Sequence, residues 1–66
     1  MQISLKAARV NANLTQKQAA NGIGVDVSTI SSWESGKTSP KAVSLEALCH
    51  LYGVTVDSIF LSDKSS

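Results

Sequence analysis

Sixty-six residues with a formal net charge of +1 make one domain, near the lower size at which a chain folds without covalent or metal staples. The single cysteine, Cys49, excludes an internal disulfide, and no Cys/His cluster offers a metal site, so stability has to come from helix packing. No apolar run approaches the ~20 residues of a membrane span, and no charged-then-apolar leader opens the chain. A soluble cytoplasmic protein is expected.

A first helix is predicted over residues 4–12, with Leu5, Ala8 and Ala12 inward and an end near Asn13. Thr15 precedes a second helical stretch, and Gln18 lies three residues on, the spacing of a capping box. Ala19, Ala20 and Ile23 share one face of that helix. Gly22 weakens it, and Gly24 ends it by accepting the left-handed conformation. Asp26 suits the N-cap of a third helix, with Ile30 and Trp33 on one face and Gly36 as its stop. Gly36 to Pro40 read as a turn, with Ser39-Pro40 opening a fourth helix and the proline in its first turn. Ala42, Leu45, Leu48, Cys49 and Tyr52 give that helix an apolar face, ended by Gly53. Thr55 caps a short fifth helix holding Val56, Ile59 and Phe60, the last two expected in the core. A flexible polar tail over 62–66 completes a domain of 1–61. The expected fold class is all-α, a compact five-helix domain without strands.

Two short helices joined by a tight glycine turn over 15–36 have the plan of a helix-turn-helix. That unit lays its second helix in the major groove of double-stranded DNA. Two helices cross this closely only over a small residue, and Ala20 fills that need. Charge is distributed in the same sense. Lys6, Arg9, Lys17, Lys37 and Lys41 stand against Asp26 and Glu34 in residues 1–41, whereas Lys64 stands against Glu46, Asp57 and Asp63 afterwards.

The stretch resembles the helix-turn-helix of the lambda-repressor/Cro-like regulators, the Cro/CI or xenobiotic-response-element type. Counting from Gln16, that family has alanine fifth, glycine ninth and apolar residues fourth, eighth, tenth, fifteenth and eighteenth. This chain supplies Ala20, Gly24, then Ala19, Ile23, Val25, Ile30 and Trp33. Leu14-Thr15-Gln16 resembles the family's LTQ, Ile30 to Gly36 its IS-x-WE-x-G, and Gly53 to Phe60 its GVSLDELF. The likeness covers residues 3–61. Two departures stand out. Ala19 replaces a usual leucine, and the exposed face of the recognition helix, 26–35, lacks the long side chains that make bidentate base contacts.

The resemblance implies a small prokaryotic or phage transcriptional regulator, a repressor acting on an operator, with no cofactor and no small-molecule ligand. Gln16 and Lys37 match the family's grips on the DNA backbone, with Thr29 and Ser31 nearer the backbone than the bases. Val27, Ser28 and Ser32 are the base-edge candidates: a valine meets a thymine methyl, and a serine hydroxyl bonds several bases. Arg9 and Glu34 match a structural ion pair locking the first helix to the third, and Trp33 is core. Val56, Ser58 and Leu61 match the two-fold contact of lambdoid repressors, so a homodimer is expected at least on DNA. Its recognition helices would stand one turn, ~34 Å, apart. The chain is expected to act as a stand-alone regulator without a self-cleaving or ligand-sensing domain.

An enzyme is not expected: Cys49 and His50 are adjacent, diverge on a helix, and have no paired carboxylate or phosphate loop. A second reading stays open. The near-neutral charge and short-chained recognition face also suit a protein-interaction module on the same fold, an antitoxin or partner-binding regulator.

Overall fold

Ser4 starts the first helix: its hydroxyl accepts from the Ala7 amide at 3.0 Å, and α1 follows over Leu5–Asn11. The computed structural model describes residues 2–61; the tail expected at 62–66 lies outside the described residues. α1 closes at Ala12, and Asn13 then turns through the left-handed region at φ 62°, which asparagine tolerates better than most residues. α2, Gln16–Ile23, opens on a full capping box, with the Gln18 amide on Thr15 Oγ1 at 3.0 Å and the Thr15 amide on Gln18 Oε1 at 2.9 Å. Gly24, at φ 76°, stops it and turns the chain into α3, Val27–Ser35. α4, Ala42–Tyr52, lies beyond the loop after Gly36.

Local corrections follow from the caps. Asp26 occupies the N-cap position of α3, but its carboxylate makes no capping bond. Its backbone carbonyl takes the Thr29 and Ile30 amides at 3.0 and 3.4 Å while the side chain stays in solvent. Pro40 lies outside α4, because Lys41 is still extended (φ −70°, ψ 163°) and serves as the cap. The first turn of α4 therefore overhangs the core, and Ala42 is exposed.

The larger correction concerns the last segment. In place of a fifth helix, Val56–Ser58 form a single 3-10 turn, and Ile59–Phe60 form a strand, β2. It pairs in parallel with β1, Ile3–Ser4, in the register Ile3 to Ile59 and Ser4 to Phe60. Thr55 does not cap a helix with its side chain; its Oγ1 lies 2.8 Å from Ser58 Oγ. Strand geometry sends neighbouring side chains to opposite faces. Ile59 is buried and Phe60 is 54% exposed, against the expectation that both fill the core.

The core sits between the helices and under this strand pair: Leu5 and Ala8 of α1, Ala19 and Ala20 of α2, Ile30 of α3, Leu48, Cys49 and Tyr52 of α4, and Ile59. α2 packs against α3 and α4, and its Ala20 is buried. Trp33, Leu45 and Leu61 pack against the same cluster from its rim. Gly22 has a packing role as well as a helix-weakening one. A Cβ there would come within 2.9 Å of Leu51 Cδ2, so the missing side chain gives α4 its seat on α2. Among the described residues no helix is long and apolar enough to cross a membrane.

Burial pushes the Tyr52 hydroxyl up to about 12 from its ordinary 10, with the Glu34 charge acting in the same direction. A raised folded-state value means that the neutral phenol stabilises the fold fully below pH 10, and that this contribution is lost as pH rises towards 12. The Tyr52 contribution should therefore be level from neutral pH to about 10 and fall above it, in step with tyrosinate formation. It comes on top of an earlier decline from the Cys49 thiol, which burial pushes up from its ordinary 9. Tyr52→Phe should remove the tyrosine's share of the decline, as urea titrations at a series of pH values would show. An unchanged alkaline decline in the variant would assign it to another group.

Candidate nucleic-acid interface

α3 carries two opposed faces because its apolar residues are three apart. Ile30 is 1% exposed and Trp33 packs on the core, while Val27, Ser28 and Ser31 face solvent. Thr29 and Ser32 are half-buried. The first turn of α3, entered from the Gly24 bend, thus presents a methyl-bearing and a hydroxyl-bearing side chain side by side. Ser32 is bound into the helix end: its carbonyl takes the amides of Lys37 and Thr38 at 3.0 and 3.3 Å and the Ser35 hydroxyl at 3.2 Å. These bonds fold the loop after Gly36 back on α3 and hold Lys37, exposed, near its C-terminal end.

Behind the exposed face lies a polar lock. Arg9 Nε donates to Glu34 Oε2 at 2.7 Å and Nη2 to Oε1 at 3.1 Å, the bidentate geometry that matches a guanidinium to a carboxylate. Arg9 Nη1 donates to the Leu14 carbonyl at 2.8 Å, which ties the turn before α2 into the same group. The pair is nearly enclosed, with the two side chains 10% and 5% exposed. The hydrogen bond to Glu34 raises the Arg9 guanidinium above its already high value, against the opposing effect of burial. Gln16 joins this group. Its Nε2 donates to Glu34 Oε1 at 3.0 Å, so the glutamate anchors α1 and α2 to α3 at once.

The structure therefore places the sequence candidates in three groups. Gln16, Ser31, Arg9 and Glu34 come together where α1, α2 and α3 meet, whereas Val27, Ser28 and Lys37 lie along the outer side of α3 and its loop. Val56, Ser58 and Leu61 are elsewhere, on the turn and strand that follow α4, with Val56 exposed and the other two half-buried. The engagement of Gln16 with Glu34 was not visible in the sequence, which offered only its place at the start of a helix. Lys6, counted in the sequence only as a charge, lines the same cleft as Gln16, Ser31 and Glu34. The i, i+3 spacing that puts it on the face of Arg9 was the available signal.

A helix-turn-helix family model matches residues 5–59. The chain is 37% identical over 60 residues to the HTH-type transcriptional activator BcrR of Enterococcus faecalis, an alignment covering 91% of this chain and 29% of that protein. It is 40% identical over 62 residues to the cryptic phage CTXphi transcriptional repressor RstR of Vibrio cholerae, covering 94% of this chain and 55% of the relative. In both cases this chain spans less than two thirds of the protein it matches.

Proposed function

This chain belongs to the Cro/CI-type helix-turn-helix family, and on that premise we propose that it binds double-stranded DNA through α3 and regulates transcription, as a repressor that occupies promoter DNA. The observation that carries the reading is the division of α3. Ile30 is buried and Glu34 is locked to Arg9, so the helix is held rigidly while Val27 and Ser28 stand free at its N-terminal end. A recognition helix needs both properties, because base readout depends on a fixed pose in the major groove. Val27, Ser28 and Ser32 read base edges in this proposal, and Gln16, Thr29, Ser31 and Lys37 contact the backbone.

A two-fold dimer through Val56, Ser58 and Leu61 belongs to the same proposal. The exposed Phe60 beside them enlarges the apolar surface available to a second copy. The expected operator is correspondingly two-fold symmetric.

Selection from random duplexes at two salt concentrations tests the reading. A symmetric enriched sequence supports a dimeric sequence-specific regulator. No enrichment, together with tight capture of a protein partner, would replace it with the interaction-module reading, which the +1 net charge favours. Lys37→Ala should weaken binding to all sequences alike and flatten the salt slope by about 1 in a log–log plot. An unchanged slope would remove Lys37 from the contact.

A further inference from the structure

We infer that Lys6, Gln16 and Ser31 form one clamp for a backbone phosphate of duplex DNA. The inference rests on the DNA-binding reading above and adds to it a contact on α1. Lys6, Gln16, Ser31, Glu34 and Ser35 line an open cleft of about 190 Å³ where α1, α2 and α3 meet. That is room for several waters, or for the oxygens of a phosphate that displaces them.

The charges of the cleft decide what it takes. Glu34 would repel an anion if it stood alone, but its oxygens already receive two bonds from Arg9 and one from Gln16. Arg9 in turn is committed to Glu34 and to the Leu14 carbonyl. Among the described residues Lys6 is therefore the cation left to the opening, exposed on the wall that α1 contributes. A glutamine amide carries two N–H donors. One is held by Glu34 Oε1 at 3.0 Å, which fixes the rotamer and leaves the other for a ligand. Ser31 adds a hydroxyl from α3, whereas the Ser35 hydroxyl is spent on the Ser32 carbonyl at 3.2 Å. An ammonium, an amide N–H and a hydroxyl, on three helices fixed by one ion pair, complement an oxyanion such as a DNA phosphate. Glu34 acts here as a positioning residue: it aims Gln16 and does not touch the phosphate.

The test uses fluorescence anisotropy of a labelled duplex of arbitrary sequence across a salt series, with the wild type, Lys6→Gln and Lys37→Ala. Lys6→Gln should lower the log–log salt slope by about 1 and weaken low-salt binding about three- to tenfold. Its thermal unfolding and the selected base preference should be those of the wild type, since Lys6 is exposed. Wild-type slope and affinity in Lys6→Gln, beside a loss in Lys37→Ala, overturn the clamp alone. A wild type that binds the duplex without salt dependence, or not at all, overturns the DNA reading and the clamp with it.

Discussion

Glu34→Ala is expected to destabilise the fold by about 3 kcal/mol, a large part of what a domain of this size holds. The carboxylate is 5% exposed and receives three hydrogen bonds, at 2.7, 3.1 and 3.0 Å. Removing it leaves the Arg9 guanidinium enclosed with, among the described residues, only the Leu14 carbonyl as a partner. A buried charge without its counter-ion costs far more than the pair was worth, because its desolvation is no longer offset. Arg9→Ala should act in the same way from the other side. The double variant should lose less than the sum of the two, with a coupling of about 1–3 kcal/mol, because each single change already breaks the whole group. Trp33, the chain's one tryptophan, sits next to Glu34 and reports urea unfolding directly. At this chain length such losses lower Tm by roughly 4–8 °C per kcal/mol. A Glu34→Ala melt within about 0.5 kcal/mol of wild type would mean that the lock contributes little, and α3 would need another anchor.

The parts of the fold that the sequence announces are those set by local chemistry. Thr15 and Gln18 are three residues apart and close their reciprocal bonds within one turn, so the start of α2 is readable from four letters. Gly24 is equally local: at φ 76° a Cβ would be strained whatever surrounds it. The end of the chain is different. Two residues of strand are too few to show alternation, and β2 exists because β1, fifty-six positions earlier, supplies its partner. Reading Ile59 and Phe60 as one helical face puts both side chains inward, and the strand turns Phe60 out. Asp26 shows the limit of residue type: it stands at the cap position of α3, yet its carboxylate makes no capping bond.

The site divides along the same line. That Val27 and Ser28 are exposed while Ile30 is buried follows from helical period alone. Arg9 and Glu34 are twenty-five positions apart and have no local signal; the family resemblance named them. Neither route gave the third member, Gln16, whose bond to Glu34 depends on the crossing of α2 and α3. Residue spacing fixes which face a side chain takes, whereas the partners it finds there are set by how the helices cross.

Ile30→Ala and Ser28→Ala, two residues apart on α3, should separate stability from readout. Ile30 is 1% exposed and among the largest fully buried side chains, so truncation removes apolar burial and leaves a void between α3 and the core. The expected cost is about 2–5 kcal/mol, the largest single effect predicted for this chain. Ser28 is exposed, and its loss should change stability by no more than about 0.5 kcal/mol. In DNA selection the order should reverse. On the proposed docking, in which the Ser28 hydroxyl bonds a base edge, Ser28→Ala should alter the preferred bases at one position of each half-site. Ile30→Ala, assayed where it remains folded, should select the wild-type sequence with a smaller active fraction, because its side chain is buried in the core. A shifted base preference in Ile30→Ala would show that the core sets the pose of α3 finely enough to govern specificity. Unchanged preference in Ser28→Ala would leave recognition to Val27, to Ser32 and to the shape of the groove.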